Sequence, residues 1–376
     1  MSNPEPAVLQ ARYTWGGDEF LFVEVSESMS LEANFRVMSM ASKLAAMELP
    51  GIVDVCPANA SLLVRFDPDV LPPSTLEETV RTIEGDLAHH QEQPLETRII
   101  EVPVWYDDPF TAEVATRFRE GFHQEPGGTD IDYAAKVNNL KNAAEFIQRH
   151  HEQPWLVSMV GFVAGLPFLF QLVEREKQLQ VPKYLSPRTD TPKLTVGHGG
   201  CFGCIYSVRG AGGYQMFGVA AAPIFDPAQR LEDFKDFMVF FRPGDIVKFK
   251  PVTEGEYNAI QAEIAAGTFR YLQVPVRFDL SKHSRIPKAT TRNSWRSSMA
   301  FDIKNPGLAT TVQDQGRTGH YNVGIPQSGS MDQYSAELGN ALVGNTVKEA
   351  VLECTYMGPV LTTDADAVVA VTGRSK

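Results

Sequence analysis

The sequence predicts an α+β fold, mainly β, with a small βαββαβ sandwich, then a barrel or sandwich of short strands, then part of a second β-rich module. Three observations support this prediction. Strand and helix patterns alternate over the first hundred residues, short apolar runs separated by Gly, Pro and Asp fill the middle of the chain, and a basic stretch precedes further strand-like runs.

The N-terminal domain is predicted over residues 1–100. Its order of elements is that of a split βαβ sandwich. Apolar residues at helical spacing indicate the two helices, and short apolar runs indicate the strands. In chain order these are a strand at 20–25, a helix through Leu31 and Ala45, strands at 52–55 and 62–66, a helix through Leu76 and Leu87, and a closing strand at 99–105.

A larger domain is predicted over residues 101–280. Residues 106–130 are polar and turn-rich, and helices are predicted at 131–149 and 253–266. Short apolar runs predict strands at 155–163, 166–173, 203–208, 214–220, 237–241, 246–252 and 271–280. The uncharged run Pro154–Val173 is long enough to cross a bilayer, but its Gly, Pro, Ser and Gln residues favour two buried strands joined by a tight turn.

A basic linker is predicted over residues 281–299, followed by a second module over 300–376. Residues 281–300 hold five Lys or Arg and no acid, a composition typical of a tether. The module has strand-like runs at 309–312, 350–356 and 366–372 and a helix near 331–343. Such a domain needs more chain to close its sheet, so we expect the remainder to be removed, supplied by another chain or absent.

Composition limits the class of function. The 376 residues carry a formal net charge of -12, which argues against nucleic-acid binding because phosphate contacts need Lys and Arg. The substrate is therefore expected to be a small molecule. Four cysteines in so long a chain make no disulfide framework, and no basic, apolar leader opens the sequence. We expect a cytoplasmic protein without membrane attachment.

The densest candidate site is a run of eight glycines between Gly197 and Gly218, which we call the glycine block. Glycine weakens a strand unless the backbone needs a positive φ or another group approaches closely. The block also contains His198, Cys201 and Cys204, which could supply three zinc ligands, but no second Cys or His pair follows at ligand spacing. No metal is therefore predicted, and the thiols are expected to fill space.

His150 and Arg188, which both precede the glycine block in the sequence, are candidate catalytic groups. His150 ends a predicted helix, where it either interacts with the helix dipole or serves as a general base facing the glycine block. Arg188 follows Pro187 in a loop, where it is either solvated or clamps a carboxylate or phosphate.

A further candidate site is the segment from Gly324 to Asp332, Gly-Ile-Pro-Gln-Ser-Gly-Ser-Met-Asp. Ser330 or Asp332 would cap the following helix. The same helix N-terminus and its glycine amides could instead bind an anion or oxyanion, with Ser328 and Asp332 among its polar groups. Three residues shortly before the segment could complete that site, namely Gln313, Asp314 and Arg317.

These motifs resemble the family of allophanate hydrolase subunits 1 and 2, which includes the B and C subunits of 5-oxoprolinase and the carboxyltransferase region of urea carboxylase. Residues 10–280 resemble subunit 1, and the matching positions are His150, Gly161-Phe162, Gly165-Leu-Pro-Phe-Leu169, Pro187-Arg188-Thr189, Gly199-Gly200 and Gly212-Gly213-Tyr214-Gln215. Residues 300–376 resemble the first quarter of subunit 2, and the matching runs begin at Pro306, Gly324 and Gly339.

The resemblance implies that subunit 1 is fused to a truncated subunit 2, as a small α/β domain, a cyclophilin-like β-barrel and part of a second cyclophilin-like module. Its implied function is the carboxyltransferase-type component of a biotin-dependent, urea-carboxylase-like enzyme that acts on a small urea or amide. One alternative is a fusion of the B and C subunits of 5-oxoprolinase, an ATP-dependent cyclic amide hydrolase. Another is a non-catalytic module that inhibits a kinase through a surface.

Cofactors and partners follow from the same resemblance. No cofactor is expected to be covalently bound, and carboxybiotin or ATP would act through partner subunits. The expected partners are the rest of subunit 2, a biotin carboxylase and biotin carrier, or the A-type subunit of oxoprolinase, in an oligomeric complex without which the chain is inactive. His150 would be the base, and Arg188 and the 324–332 turn would hold anionic oxygens.

Some positions depart from the family pattern. A Gly-Arg-Thr run is replaced by Gly218-Val219-Ala220, a polar pair by Phe202-Gly203, and a second arginine by Asp190. The resemblance therefore implies a changed substrate, or a component that does not perform the chemistry by itself.

Overall fold

The computed structural model describes residues 11–89, 95–278, 302–362 and 369–373. These residues form two units. The first contains the described residues up to 278 together with Tyr321–Ile325, and the second contains 302–320 and the described residues from Pro326 onwards. The basic linker predicted at 281–299 lies outside the described residues.

The N-terminal part of unit 1 is a four-stranded antiparallel sheet of order β1-β2-β4-β3. Helices α1 and α2 pack together against it, and apolar residues from both helices and the sheet form one buried cluster. Ser30 caps α1 by accepting the Ala33 N–H. The elements are β1 Arg12–Gly16, β2 Phe20–Glu24, α1 Leu31–Ala46, β3 Ile52–Pro57, β4 Ser61–Phe66 and α2 Pro73–His89.

The closing strand predicted for this first domain belongs to another sheet. Strand β5, Leu95–Tyr106, is 12 residues long and pairs with strands of the following domain. The four-stranded sheet instead gains β1, which pairs antiparallel with β2. Strand β5 alternates little between buried and exposed residues, a pattern typical of a strand covered on both faces.

The remainder of unit 1 is a closed barrel of seven strands. Its order is β12-β9-β10-β7-β6-β13-β5, and a β12–β5 pairing closes it. Strand β14 pairs with β5 at 95–101, ahead of the residues that pair with β12, and the β13–β5 pair is parallel. Strands β8 and β11 form a separate pair outside the barrel sheet. The strands are β6 Trp155–Val160, β7 Pro167–Gln171, β8 Arg188–Thr191, β9 Thr195–Gly199, β10 Phe202–Ile205, β11 Gly210–Gly212, β12 Gln215–Ala220, β13 Ile246–Pro251 and β14 Leu272–Phe278.

Four α-helices in this part of the chain contact the barrel strands: α3 Pro109–Arg117, α4 Asp130–Val137, α5 Ala143–Glu152 and α6 Glu254–Ala265. The capped helix predicted near 253–266 is confirmed, because Thr253 and Glu256 form a capping box. The helix predicted at 131–149 is two helices, separated where Asn139 has a φ of 56°. Helix α3 was not predicted, since its segment is rich in polar residues.

Two predictions about apolar runs have different outcomes. The Pro154–Val173 run forms the antiparallel β6–β7 hairpin, as predicted. The run at 237–241 is not a strand: it is buried but makes only an isolated bridge between Phe225 and Val239. In the described part of the chain, no helix has the length and apolarity needed to span a bilayer.

The described residues of unit 2 form two strand pairs and one α-helix. Strands β15 Asp302–Asn305 and β18 Val360–Thr362 pair, as do β16 Ala309–Gln313 and β17 Val351–Thr355. Helix α7 Gln333–Val343 ends at the left-handed Gly344. Of the strand predicted at 366–372, residues 366–368 lie outside the described ranges and 369–372 are not in a strand.

Candidate functional site

The glycine block lies on β9, β10, β11 and β12, and close approach explains several of its glycines. A Cβ at Gly199 would lie 2.4 Å from Tyr214 Cδ1 and 2.9 Å from Lys183 Cγ. A Cβ at Gly212 would lie 2.4 Å from Tyr206 Oη. Gly200 alone in the block has a positive φ, +65°. Gly199 and Gly212 therefore make room for the protein's own tyrosines.

Gly218 has a different role, because it lies where the barrel closes. A Cβ there would be 2.4 Å from the Trp105 carbonyl oxygen on β5. The β12–β9 register also shifts between Met216 and Gly218. Only glycine allows the two backbones to approach this closely, so Gly218 serves the fold.

Arg188 begins β8 and is fully buried. Its Nη2 donates to Thr191 Oγ1 at 3.3 Å, and its guanidinium carbon lies 4.3 Å from the centre of the Tyr184 ring. Its Nε and Nη1 have no hydrogen-bond partner within the described ranges. The solvated alternative for Arg188 is therefore wrong.

A small apolar and phenolic cluster adjoins Arg188. Leu166, Cys204 and Tyr206 form its buried centre, with Val163, Phe168 and Tyr214 packed around them. Burial raises the pKa of both Cys204 and Tyr206, and the Arg188 charge opposes the rise in each case. The thiol and the phenol are therefore neutral near pH 7.

Tyr184, the platform under Arg188, is held by a buried carboxylate. Its hydroxyl donates to Asp130, with 2.9 and 2.8 Å to the two oxygens. Asp130 also accepts from Arg119 Nη1 at 2.8 Å and from the Met216 N–H at 2.8 Å. Both oxygens of the Asp130 carboxylate therefore accept hydrogen bonds from other protein groups.

His123 connects this network to the predicted residue Gln215. His123 Nδ1 lies against the Glu125 backbone, and its Nε2 donates to Gln215 Oε1 at 2.8 Å, since an amide oxygen can only accept. The Gln215 amide in turn donates to the Pro182 carbonyl at 2.9 Å. Both polar ends of Gln215 are therefore bonded within the protein, and its amide nitrogen holds the segment before Arg188.

Sequence reasoning missed His123, Asp130 and Tyr184. The first two belong to a segment interpreted as turn-rich, yet Thr129 and Asp132 form a capping box at the start of α4. That local signal marks Asp130 as the first residue of a helix.

His150 lies inside the barrel, fully buried beside His198 and Trp155. Its Nδ1 is 2.8 Å from Tyr106 Oη, while its Nε2 and His198 Nδ1 have no hydrogen-bond partner in the described structure. Burial lowers the pKa of His150 well below its usual value and that of His198 to about 4. Within the described residues, no hydrogen bond or ring contact joins His150 to Arg188.

The remaining predicted glycines pack close to the same cluster. Gly213 accepts the Tyr184 N–H through its carbonyl at 2.8 Å and lies near Pro187. Gly200 pairs with Val181 in an isolated bridge. The structure therefore brings Gly199, Gly212, Gly213 and Tyr214 together around the segment that leads into Arg188.

The other predicted site residues belong to unit 2. Asp332 caps α7 by accepting the Ser335 N–H at 2.9 Å, which is the capping alternative. Ser328 is exposed and has a φ of 55°. Three backbone-directed contacts order the loop: Asp314 Oδ1 accepts the Gly316 N–H, Arg317 Nε donates to the Pro326 carbonyl, and Ser330 donates to the Asp314 carbonyl. Gln313 ends β16 and contacts Thr311.

Asp190, which replaces a family arginine, forms a surface ion-pair cluster. It binds Arg209 through two contacts of 2.7 Å and Arg117 at 3.0 Å. The hydrogen bond from Arg209 is the main reason that the pKa of Asp190 falls to about 2. The negative charge is therefore neutralised by its neighbours.

A cavity of about 450 Å³ lies between α3 and the start of α4, on the other side of the Asp130 network. Arg119, Asp130 and Met216 line it. Arg119 and Asp130 bond to each other, and the Met216 N–H donates to Asp130. These three residues therefore present no free donor to the cavity comparable to Arg188. In the described residues, no group of three His, Cys, Asp or Glu could hold a metal ion.

Comparison with protein families gives two matches. Residues 11–235 match the model described as carboxyltransferase domain, subdomain C and D, which is more than half of the chain. Residues 323–375 match the model described as carboxyltransferase domain, subdomain A and B.

Individual relatives agree with these matches. The chain is 29% identical over 256 residues to the B subunit of 5-oxoprolinase from Bacillus subtilis, covering 66% of this chain and 95% of that protein. It is 27% identical over 272 residues to urea amidolyase of Lachancea kluyveri, covering 71% of this chain but 14% of that protein.

A solved structure, that of TTHA0988, resembles the chain with a TM-score of 0.61 at 27% identity, covering 91% of this chain and 57% of that one. The chain thus spans nearly all of the first relative but less than two thirds of the urea amidolyase and of TTHA0988. These similarities confirm the family and the mixed, mainly β fold predicted from the sequence. The chain belongs to the carboxyltransferase-domain family.

Proposed function

We propose that this chain is the carboxyltransferase-type component of a multi-chain enzyme, and that Arg188 binds the carboxylate of a small urea or amide substrate or product. The observation that carries the proposal is the buried guanidinium of Arg188, with Nε and Nη1 unpartnered in the described structure. Arginine stays protonated in proteins, and an unpaired buried charge is costly. A bound carboxylate would offset that cost.

The surroundings of Arg188 suit a small anion. Tyr184 supports one face of the guanidinium, and the Tyr206 and Cys204 side chains beside it are neutral. Tyr214 and the exposed Lys183 cover Gly199. We infer that the ligand enters by displacing these two side chains, and that the Lys183 charge attracts it.

In the urea-carboxylase-like version, biotin carried by a partner chain would supply the carboxyl group to a substrate nitrogen. The free donors of Arg188 fit the transferred carboxylate and would hold it. The neutral imidazole of His150 would accept the proton that the nitrogen loses. Ser328 remains a proposed polar group of the second module, where its hydroxyl would donate to an anionic oxygen. Asp332 does not share this role, because its carboxylate only accepts hydrogen bonds and caps α7.

The 5-oxoprolinase version is the second candidate, favoured by the near-complete coverage of the B subunit of that enzyme. Its substrate, 5-oxoproline, is a cyclic amide that carries a carboxylate, which Arg188 would bind. ATP and the remaining subunits would be supplied by partner chains. In both versions the chain is inactive alone.

The proposal is tested by calorimetric titration of the full chain with 5-oxoproline and with 2-pyrrolidinone, the same ring without the carboxylate. We expect 5-oxoproline to bind and 2-pyrrolidinone not to bind. The variant Arg188→Gln should lose binding by about ten-fold or more, since a charge-assisted bond is lost. Arg209→Gln is the matched control, because that arginine is exposed and paired with Asp190.

Equal binding of both ligands, or unchanged binding by Arg188→Gln, would contradict the carboxylate site. If Arg188→Gln does not fold, Arg188→Lys supplies the same comparison with the charge kept and the planar fork removed. The two versions are separated by the purified complex. A biotin-carrying partner and bicarbonate incorporation into urea favour the first, and ATP-dependent glutamate release favours the second.

A further inference from the structure

The segment Tyr321–Ile325, which we call the strap, packs within unit 1 although the chain on both sides of it belongs to unit 2. Val323 and Ile325 are 9% and 5% exposed and belong to the main apolar core of the barrel. Removal of these two aliphatic side chains from water stabilises the position of the strap within unit 1. The strap is therefore part of the packed core of unit 1.

Backbone hydrogen bonds fix the strap at two points. The Gly165 N–H, in the loop between β6 and β7, donates to the Val323 carbonyl at 2.9 Å. The Tyr321 N–H donates to Asp54 Oδ2 on β3 at 2.6 Å, and Asp54 is itself 5% exposed. The Arg65 guanidinium lies 5.7 Å from the centre of the Tyr321 ring. A buried carboxylate and a loop amide thus recognise the strap backbone.

The contact between the strap and the β6–β7 loop requires glycine at position 324. Its φ is +74°, and a Cβ there would lie 2.6 Å from the Val163 carbonyl oxygen and 2.9 Å from Gly161 Cα. These are backbone atoms, which cannot move aside as a flexible side chain does. Any side chain at this position therefore lifts the strap from the β6–β7 loop.

We propose that the β6–β7 loop at 161–165, with Asp54, forms a docking surface for subdomain A and B modules. The partner segment that fits it is Tyr-x-Val-Gly-Ile, with glycine in the left-handed conformation. In this chain the strap fills the surface in cis, and a separate chain that carries the same segment would fill it in trans. This inference does not depend on the substrate bound near Arg188.

Hydrogen exchange on the full chain tests the attachment. Gly324→Ala is compared with Gly344→Ala, since Gly344 has a similar φ of +81° but an added Cβ there would have no neighbour within 4 Å. Exchange of the Gly165 amide should rise roughly ten-fold or more in Gly324→Ala and stay near the wild-type rate in Gly344→Ala. Equal rates in the two variants would overturn the proposal.

A peptide experiment tests docking in trans. A labelled peptide of residues 319–327 should bind the Gly324→Ala chain, whose surface is released, and should not bind the wild type, whose surface is filled. The same peptide with alanine at 324 is the control and should bind neither. Failure of the unmodified peptide to bind the released chain contradicts the docking surface. If Gly324→Ala does not fold, Val323→Ser replaces it in both experiments.

Discussion

The guanidinium carbon of Arg188 lies 4.3 Å from the centre of the Tyr184 ring, and the Tyr184 hydroxyl donates to Asp130. The ring therefore faces a cation while its hydroxyl faces an anion. This arrangement holds a buried arginine without giving it a carboxylate partner in the described structure, which leaves two of its nitrogens free.

Replacing Tyr184 should separate the contribution of the ring from that of the hydroxyl. Tyr184→Phe keeps the ring under Arg188, so affinity for 5-oxoproline should stay within roughly three-fold of the wild type. Tyr184→Leu removes the ring and should weaken binding by roughly ten-fold. Titration calorimetry measures both. Equal losses in the two variants would show that the ring is not the platform.

Replacing Asp130 should destabilise the fold strongly. Asp130→Asn leaves Arg119 buried without its carboxylate and disturbs the bonds from Tyr184 and Met216, so we expect a loss of about 3–5 kcal/mol in the free energy of unfolding. Asp132→Asn, an exposed member of the capping box on the same helix, should cost about 1 kcal/mol. Urea denaturation compares them, and similar losses would contradict the network.

Adding one methyl group at Gly199 should distinguish close approach from a general loss of flexibility. Gly199→Ala places Cβ against the Tyr214 ring, so we expect a loss of about 1–3 kcal/mol. Gly210→Ala, in the same block with nothing within 4 Å, should change stability little. In a Tyr214→Leu background the cost at Gly199 should shrink. A cost that persists there would refute the crowding explanation.

Stability should fall as the pH drops below about 6.5, where histidines of the unfolded chain begin to protonate. The folded pKa of His198 is lowered to about 4 and that of His150 well below its usual value. Stability from these groups is therefore complete above the unfolded pKa and lost as the pH falls toward the folded pKa. At pH 5.5 the loss from His198 should be about 1.4 kcal/mol, and His150 should add a loss of the same sign.

Urea midpoints at pH 7.5 and 5.5 measure this loss. His198→Gln should show a smaller drop between the two pH values than the wild type does. An identical drop would mean that His198 already binds a proton in the folded protein.

Elements with strong local signals agree with the structure. The capping box at Thr253 locates α6, and the uncharged run Pro154–Val173 is the β6–β7 hairpin. Each signal lies within its own element, so no distant contact is needed to interpret it. The apolar run at 237–241 has no such signal, and tertiary packing buries it without strand pairing.

The residues of the candidate site likewise fall into two groups, those that the sequence predicts and those that it does not reveal. Arg188, Gly199, Gly212 and Tyr214 were predicted from the motifs, and the structure groups them. His123 and Asp130 were missed, because their bonds to Gln215 and Met216 span 92 and 86 residues of sequence. Contacts over such separations leave no periodicity or spacing to detect.

Sequence patterns were sufficient to predict the family, the mainly β architecture and the position of α6, and to select the glycine block and Arg188 as candidate site residues. The folded chain was needed to learn that β5 closes the barrel, that Gly199 and Gly212 accommodate tyrosines, and that Gly324 packs within unit 1. The difference is one of range. Caps, turns and hydrophobic periodicity act between near neighbours, whereas close packing and buried charge depend on whichever distant residues the fold brings into contact.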